Sequence, residues 1–355
     1  MTTKYIESLI ADPIGNYPAA TVACFDPTCG DLPRRQLDTK RLAAYLANLS
    51  HAGAPAALLA ASTGQGHLRT VDELAEWFTA AGQADVGPLV KMALLRPEDG
   101  QEANARLLEV LVEQAIPVVF LRPGANLPPG ATDVDVVENM APLLGQAADA
   151  GLAIGVYSIS DVSGVPLTAA AVEQLLDKPG GDRIVAAKVT EADYEASTLQ
   201  YLENPRLSRL KIVQGWDPHL ARALQDGPKY DEDGRQRVGV TSGPMSLAVY
   251  QYNYLLQAAE AGKWNEVAQS QAAVSAIFAA MQDDPTKFAD LQRAKAIMGL
   301  GQPLTGEVTD AQITRIFEAL ESLPRGEDRR RLAWSLDLME DGPYHERLVA
   351  LADAT

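Results

Sequence analysis

A lysine inside an apolar segment is the residue of this chain with the clearest chemical potential. Lys188 lies in the run Ile184–Val189, whose other members are all aliphatic. Burial disfavours the charged form and lowers the pKa of a lysine, so a neutral amine becomes available near neutral pH. A neutral amine is the nucleophile that Schiff-base chemistry with a ketone requires. The alternative is a lysine whose head group reaches solvent or forms a structural ion pair.

A tyrosine ends a second apolar run. Tyr157 closes the segment Leu152–Tyr157. A phenol beside an imine can donate and accept protons, and a nearby cationic lysine would make that phenol more acidic. The alternative is an ordinary half-buried aromatic side chain at the end of a strand.

The third feature is the tripeptide Ser62-Thr63-Gly64. It offers two hydroxyls and a glycine that lets backbone N–H groups approach a ligand, so it can bind a carboxylate without a basic side chain. The same residue types are common in plain turns between a strand and a helix.

Eight apolar runs alternate with amphipathic stretches and must position these residues. The runs predict strands at Ala19–Phe25, Pro55–Ala61, Pro88–Leu95, Ile116–Leu121, Leu152–Tyr157, Arg183–Val189, Leu210–Gln214 and Val238–Ser242. The stretches predict helices at Thr39–His51, Thr70–Ala84, Gly100–Gln114, Val134–Ala150, Thr168–Leu176, Ala192–Leu202, Asp217–Asp226 and Met245–Ala261. Near-continuous apolar strands are typical of parallel strands covered on both faces.

Eight strand–helix units predict an α/β fold, a (β/α)₈ barrel. An open doubly wound sheet is the alternative, but no glycine-rich dinucleotide fingerprint follows the first strand. Active sites of such barrels lie at the carboxyl ends of the strands, and the three features above fall there. We expect a barrel domain over residues 1–262 and a C-terminal helical extension over 263–355. The insert Gly227–Arg237 is predicted to be an exposed loop, and neither its role nor that of the tail beyond residue 324 follows from the sequence.

The amino-acid composition excludes several classes of binding partner. The 355 residues include 47 acidic and 30 basic side chains, for a net charge of −17. This balance argues against nucleic acid and anionic membrane surfaces, which reward basic patches. No apolar run has the length of a membrane span and no signal peptide is recognisable, so we expect a cytoplasmic protein. Four histidines without a ligand motif predict no metal site, and Cys24 and Cys29 are expected to be two free thiols.

Taken in order, these residues resemble landmarks of the dihydrodipicolinate synthase / N-acetylneuraminate lyase superfamily, the pyruvate-dependent class I aldolases. The resemblance runs from about Pro18 to about Leu320. Its landmarks are Ser62-Thr63-Gly64, Tyr157, Lys188-Val189-Thr190, Gly215-Trp216-Asp217 and Val238-Gly239-Val240-Thr241-Ser242. They are similar to the family's carboxylate-binding turn, its Tyr-Asn-x-Pro tyrosine, its Schiff-base lysine, its Gly-(Asp/Tyr)-Asp turn and its Gly-x-Ile-Ser strand.

Several positions depart from the family pattern. Gln65 replaces a glutamate, and Ser158 and Ser160 replace the asparagine and proline after the tyrosine. Val162 stands where dihydrodipicolinate synthases carry a substrate-binding arginine, which disfavours that activity and places the chain nearer the neuraminate lyase-like branch. Arg122, after the fourth strand, is expected to be an exposed loop arginine, with the binding of an anionic substrate group as the alternative.

The resemblance implies roles for individual residues. Lys188 would form the imine, and Tyr157 would be the acid/base. The remaining candidates are substrate-binding: Ser62, Thr63 and Gly64 for the carboxylate, and Gly239, Thr241 and Ser242 for the substrate chain. It further implies a small-molecule 2-oxo acid substrate, no cofactor, and a homo-oligomer, either a dimer or a tetramer.

Three functions fit these residues. The first is a lyase that cleaves or forms a carbon–carbon bond between pyruvate and an aldehyde, acting on a 2-keto-3-deoxy sugar acid or a related 2-oxo acid. The second is a dehydratase of such an acid that uses the same imine. The third is a barrel that binds a metabolite without turnover. Retention of Lys188, Tyr157 and Thr63 together counts against the third, since a sensor needs no imine-forming lysine.

Overall fold

The computed structural model describes residues 2–28, 33, 35–283 and 288–354. Eight parallel strands follow one another in chain order around a closed barrel. The strands are β1 (Ala20–Ala23), β2 (Ala56–Leu59), β3 (Val90–Leu95), β4 (Val118–Leu121), β5 (Ala153–Ser158), β6 (Ile184–Val189), β7 (Lys211–Gln214) and β8 (Val238–Ser242). The predicted (β/α)₈ barrel is therefore confirmed, and the open sheet is wrong.

Burial explains why the strands could be located from the sequence. Apart from Val90 and Lys91, every residue in the eight strands is buried. A strand covered on both faces must be apolar along its whole length, and the alternation of a half-exposed strand is absent from these segments. Lys188 and Lys211 are the two buried cations that interrupt this rule within the strands.

Helices occupy the segments between the strands and the C-terminal third of the chain. They are α1 (Thr2–Ala11), α2 (Pro13–Asn16), α3 (Thr39–His51), α4 (Val71–Gln83), α5 (Gln101–Glu113), α6 (Asp133–Asp149), α7 (Ser160–Ser163), α8 (Ala169–Leu176), α9 (Thr198–Glu203), α10 (Leu220–Asp226), α11 (Val249–Glu260), α12 (Trp264–Ala279), α13 (Gln292–Ile297), α14 (Asp310–Ser322), α15 (Glu327–Leu336) and α16 (His345–Asp353).

Side-chain caps fix several helix starts. The Asp38 carboxylate accepts a hydrogen bond from the backbone N–H of Arg41 at the start of α3. Thr70 and Glu73 form a reciprocal capping box at α4, as their spacing predicts. The sequence did not lead us to expect α1 and α2. A cap signal was present for α2, because Asp12 precedes a proline at the first helical position and accepts from Gly15 N.

Three predicted helices are shorter than expected, one of which begins at Val249 instead of Met245 because a 3₁₀ turn over Pro244–Leu247 precedes it. Another, predicted from Ala192, begins only at Thr198, because residues 193–197 form a turn in which Ala196 N donates to the Asp193 carboxylate. The third, predicted from Asp217, starts as a 3₁₀ turn with a proline at its first positions before α10 begins at Leu220. Short polar side chains that bond the local backbone compete with helix in this way.

The described chain divides into two compact units. The first comprises Met1–Thr21 and Val90–Thr241, and the second comprises Val22–Leu89 and Ser242–Thr355. The domain boundary at residue 262 remains a prediction. No helix in the described ranges combines the length and the apolar character that crossing a membrane requires.

The insert before β8 belongs to the first unit. Its residues 232–235 are exposed, as predicted, but Arg237 is fully buried, so the expectation of an exposed loop is wrong for that residue. The Arg237 guanidinium donates to the carbonyl oxygens of Leu202, Leu207 and Tyr230. Burial lowers its pKa to about 10. The buried Arg237 side chain thus connects the insert to Leu202 at the end of α9 and to Leu207.

Candidate active site

Lys188 and Tyr157 face each other on adjacent strands of the first unit. Lys188 on β6 and Tyr157 on β5 are paired in the strand register. Both side chains are buried, with exposed fractions of 4% and 2%. The Lys188 Nζ atom lies 3.9 Å from the centroid of the Tyr157 ring. The structure therefore brings the predicted nucleophile and the predicted acid/base together.

Burial sets the protonation of the lysine. It lowers the pKa of Lys188 from 10.5 to about 7, and the negative charge of Asp217 opposes this shift. Within the described ranges, no carboxylate forms a salt bridge with Lys188. A structural ion pair therefore does not account for the burial of this lysine, and a large share of the side chain is a neutral amine at pH 7.

The glycine after β7 leaves room beside the lysine. A Cβ atom at Gly215 would lie 3.1 Å from Lys188 Cε and 2.0 Å from Thr190 Oγ1. Any larger residue at position 215 would have to displace the Thr190 hydroxyl. The glycine of the Gly215-Trp216-Asp217 landmark is thus explained by the crowding of these two side chains.

The tyrosine stays protonated. Burial is the largest influence on Tyr157 and raises its pKa, and the charge of Glu191 raises it further. The Thr190 hydroxyl and the Arg122 charge lower the pKa of Tyr157, but their effect is smaller than that of burial. The phenol is therefore less acidic than a free tyrosine, because desolvation outweighs the Thr190 hydrogen bond and the Arg122 charge. Tyr157 can begin a reaction cycle as a proton donor.

A glutamate that we did not single out from the sequence holds the turn after Tyr157. Glu191 Oε1 accepts hydrogen bonds from Ser158 Oγ at 2.7 Å and from Ser160 N at 2.9 Å. Its second oxygen accepts from Ser160 Oγ at 2.6 Å. Glu191 therefore gives Ser158 and Ser160, two departures from the pattern that the sequence resembles, a shared hydrogen-bond acceptor. The signal available in the sequence was a carboxylate three residues after Lys188.

Removing the Glu191 carboxylate should destabilise the protein. Glu191→Ala leaves three donors around Ser158 and Ser160 without their acceptor, and we expect a loss of about 2 kcal/mol in the free energy of unfolding. Glu191→Gln keeps the shape and one acceptor, so its loss should be smaller. Urea denaturation measures both. Glu195→Gln, at an exposed ion pair with Arg222, is the matched control and should unfold like the wild type. Equal stability of Glu191→Ala and the wild type would contradict the role given to these bonds.

The structure corrects the sequence-based expectation for Arg122. It is 2% exposed, so it is not an exposed loop arginine. Its guanidinium pairs with both oxygens of the Glu98 carboxylate and donates to the Pro123 carbonyl oxygen at 2.7 Å. The partner lies 24 residues earlier in the chain, where no local pattern indicates the contact.

The candidates on β8 differ in their surroundings. A Cβ at Gly239 would lie 3.0 Å from the carbonyl oxygen of Ala19, so the glycine fits the close approach of residue 19 to β8. The next residue, Val240, donates its N–H to that same carbonyl. Thr241 is fully buried, and its Oγ1 has no hydrogen-bond partner among the described residues. Roles of Gly239 and Thr241 toward a substrate remain predictions.

The second unit contains the Ser62–Gly64 turn, which forms a buried 3₁₀ turn after β2. A Cβ at Gly64 would lie 2.4 Å from the carbonyl oxygen of Cys24, so only glycine fits. The Thr63 carbonyl accepts from Gln292 Nε2 at 2.6 Å, and Gln65 Oε1 accepts from Leu304 N at 2.7 Å. The C-terminal segment 292–304 therefore holds this turn.

A buried charge cluster reinforces the same part of the second unit. Both oxygens of Asp26 are used: Arg69 Nη2 donates to one at 2.5 Å, and Lys295 Nζ donates to the other at 2.9 Å. All three side chains are at most 1% exposed. Removing one partner of such a cluster leaves an uncompensated buried charge, which typically costs about 3–5 kcal/mol.

The remaining candidates also lie in the second unit. Ser242 Oγ is 2.9 Å from the Tyr252 hydroxyl and accepts from Met245 N, so internal contacts occupy it. Cys24 is a buried free thiol, while Cys29 lies outside the described residues. Among the residues with described positions, no three His, Cys, Asp or Glu side chains are grouped so that they could hold a metal ion.

Comparison with known proteins gives matches among solved structures. No protein-family model and no curated protein matches the chain. A 2-keto-3-deoxygluconate aldolase variant from Sulfolobus solfataricus is 14% identical, with a TM-score of 0.69 over 86% of this chain and 95% of its own. A dihydrodipicolinate synthase from Bacillus anthracis is 15% identical, with a TM-score of 0.70 and coverage of 87% and 99%.

A third similar solved structure is a complex with a small molecule. It is a prophage protein from E. coli K12 of the dihydrodipicolinic acid synthase family, in complex with pyruvate. It is 16% identical to this chain, with a TM-score of 0.70 and coverage of 86% and 98%. At these identities the likeness shows a shared fold.

Proposed function

We propose that this chain is a member of the dihydrodipicolinate synthase / N-acetylneuraminate lyase superfamily and acts as a class I, lysine-dependent lyase on a 2-oxo acid. The observation that carries the proposal is Lys188, a buried lysine without a salt bridge in the described chain, whose pKa is lowered to about 7. Tyr157, protonated and paired with it across two strands, supplies the acid that the chemistry needs. The fold shared with solved aldolases and synthases supports the proposal by analogy.

The reaction begins at the amine. Neutral Lys188 attacks the keto carbon of the 2-oxo acid, and loss of water gives a protonated imine. The imine withdraws electrons from the neighbouring carbon, so the next carbon–carbon bond can break or form through an enamine. Tyr157 donates its proton to the carbinolamine oxygen that leaves as water, and its phenolate then takes the proton of the hydroxyl that becomes the aldehyde carbonyl.

The substrate class is the finer part of the proposal. The proposed substrates are pyruvate with an aldehyde, or the corresponding 2-keto-3-deoxy sugar acid. Val162 offers no charge to a second carboxylate, which disfavours dihydrodipicolinate synthesis. The carboxylate-binding role of Ser62, Thr63 and Gly64, and a homo-oligomeric state, remain predictions from the resemblance.

Pyruvate and borohydride test the proposal directly. The protein is incubated with pyruvate, reduced with borohydride, and its intact mass is measured. A covalent adduct that maps to Lys188 by peptide mass is expected. An unmodified protein after reduction, with folding verified by circular dichroism, would contradict the lysine mechanism.

Product analysis then separates the two enzymatic alternatives. A lyase yields pyruvate and an aldehyde from a 2-keto-3-deoxy sugar acid, while a dehydratase yields a dioxo acid without carbon–carbon cleavage.

A further inference from the structure

An arginine stands level with the two predicted reacting residues of the first unit. Leu121, the last residue of β4, pairs with Val156 of β5. The residues that follow them, Arg122 and Tyr157, are therefore neighbours at the carboxyl ends of these strands. Tyr157 is paired in turn with Lys188 on β6. Three adjacent strands thus place an arginine, a tyrosine and a lysine in one row.

The pleat of the strands places the Arg122 and Tyr157 side chains on one face. Side chains two residues apart along a strand point to the same face, so Arg122 shares a face with Phe120. On the neighbouring strand, Tyr157 likewise shares a face with Gly155. A Cβ atom at Gly155 would lie 2.4 Å from Phe120 Cε1, so these two faces are the same. The positive charge of Arg122 reaches the phenol and lowers the pKa of Tyr157, against the larger effect of burial.

Hydrogen bonds fix the position of the guanidinium. Both oxygens of the Glu98 carboxylate accept from it, and so does the Pro123 carbonyl oxygen. The Arg122 side chain is 3% exposed, whereas that of Glu98 is 21% exposed. The carboxylate therefore stands nearer the solvent, which screens its charge more strongly than that of the buried guanidinium. Arg122 consequently acts on Tyr157 as a cation, although it is part of an ion pair.

The other influences on Tyr157 disfavour its negative form. Burial raises the pKa of Tyr157, and the carboxylates of Glu191, which follows β6, and of Asp161 on α7 raise it further. Lys188 lies against the ring, but a large share of its amine is neutral at pH 7. The guanidinium of Arg122 keeps its charge at every pH at which the protein is folded. It therefore opposes these influences with a positive charge that does not titrate.

We propose that Arg122 is a positioning residue that acts through Tyr157, its fixed guanidinium stabilising the phenolate that the lysine reaction forms. The inference rests on the proposed function and adds a residue to its mechanism. Its basis is the row that the register of β4, β5 and β6 creates.

The phenolate arises in a balanced step. Tyr157 gives its proton to the carbinolamine oxygen, and the carbon–oxygen bond breaks with its electron pair leaving as water. The lone pair of the Lys188 nitrogen forms the double bond of the iminium ion. One positive iminium and one negative phenolate result, and the phenolate persists until it takes the proton of the substrate hydroxyl. A buried cation beside the phenol lowers the free energy of this state without exchanging a proton itself.

Cleavage of a 2-keto-3-deoxy sugar acid and endpoint trapping of pyruvate test this role. Arg122→Met should lower kcat about 30-fold while the adduct still forms, somewhat less than the roughly 10²- to 10³-fold typical of removing a donor in direct contact with an oxyanion. Arg122→Lys keeps a positive charge and should recover kcat to within a few-fold of the wild type. Glu98→Gln removes the opposing charge and keeps an acceptor, so its kcat should equal or exceed the wild-type value.

The opposite effects of these variants separate electrostatics from simple loss of the ion pair. Arg122→Met and Glu98→Gln each remove one charge of the pair, so a purely structural pair predicts similar losses in both. Folding is verified by circular dichroism. If Arg122→Met does not fold, its combination with Glu98→Gln removes both charges together, and this double variant should show the low kcat expected for Arg122→Met.

A second double variant tests whether Arg122 acts through Tyr157. In a Tyr157→Phe background no phenolate forms, so adding Arg122→Met should lower kcat no further. Arg237→Met is the matched control, because Arg237 is a buried arginine of the same unit that donates only to backbone carbonyls. Folded Arg237→Met should have the wild-type kcat.

Four results would overturn the role of Arg122. They are equal losses in Arg122→Met and Glu98→Gln, losses that multiply with Tyr157→Phe, a loss of the same size in Arg237→Met, and a wild-type kcat in folded Arg122→Met. The last result, if KM rises, would assign Arg122 to an anionic group of the substrate instead. A wild type that forms no pyruvate adduct is a different outcome, since it contradicts the proposed function itself.

Discussion

Replacing Lys188 by alanine is expected to abolish both turnover and the borohydride-trapped pyruvate adduct. No other described side chain combines burial, a pKa near neutrality and contact with Tyr157. Loss of a covalent nucleophile removes the imine itself, so the fall in kcat should reach the detection limit, at least about 10⁴-fold. Activity on a 2-keto-3-deoxy sugar acid and intact mass after reduction measure the two effects.

Lys211 provides the matched control. It is a second buried lysine of the first unit, and burial lowers its pKa to about 8. Its Nζ donates to the carbonyl oxygens of Gln236 and Ile14, so its amine is engaged. Lys211→Met should still form the adduct. An adduct that persists in Lys188→Ala, or disappears in folded Lys211→Met, would show that Lys188 is not the imine-forming residue.

Lys188, which activity requires, is expected to lower the stability of the folded protein. The folded state lowers the pKa of Lys188 from 10.5 to about 7, so at pH 6 it must hold a buried ammonium. Each pKa unit corresponds to about 1.4 kcal/mol, and Lys188→Met should therefore raise the free energy of unfolding by about 2 kcal/mol or more at pH 6. Between pH 7 and 10 the unfolded chain binds more protons at this site than the folded chain. The wild type consequently gains stability as the pH rises, and the advantage of the variant shrinks.

The elements of the barrel could be predicted because burial on both faces leaves a local signature. The strand that contains Lys188 has the bounds 184–189, within one residue of the expectation from its apolar run. The lysine was conspicuous for the same reason, since a charge inside such a run is costly.

Contacts between distant positions left no such signature. Arg122 was misjudged because its partner Glu98 stands on the preceding strand–helix unit, and a basic residue after a strand looks the same whether it is buried or exposed. Glu191 was missed because its meaning depends on Ser158, 33 residues away. The bond from Gln292 to the Thr63 carbonyl spans 229 residues. The identity of a residue indicates which bonds it can form, while only the fold decides which partner is near.

Tyr157→Phe is expected to lower kcat by about 100- to 1,000-fold while leaving imine formation measurable, because proton transfer by a positioned side chain typically contributes 10²- to 10⁴-fold. The phenylalanine keeps the ring beside Lys188 Nζ and removes only the hydroxyl. Burial raises the pKa of this phenol, so the wild-type residue acts as a neutral acid. The variant therefore loses a transferable proton, while the charge of the site does not change. Steady-state kinetics with a 2-keto-3-deoxy sugar acid, together with endpoint trapping of pyruvate, separates the two effects.

The ordinary-aromatic interpretation makes a different prediction for the same variant. A tyrosine that only fills space would tolerate phenylalanine, and kcat would stay within a few-fold of the wild type with the adduct intact. Tyr201→Phe is the matched control: Tyr201 is another fully buried tyrosine of the first unit, and its hydroxyl donates to the Leu167 carbonyl. Its loss should lower stability by about 1 kcal/mol and leave kcat unchanged. Wild-type turnover in Tyr157→Phe would remove Tyr157 from the mechanism, because a proton donor cannot be replaced by a group without a proton to give.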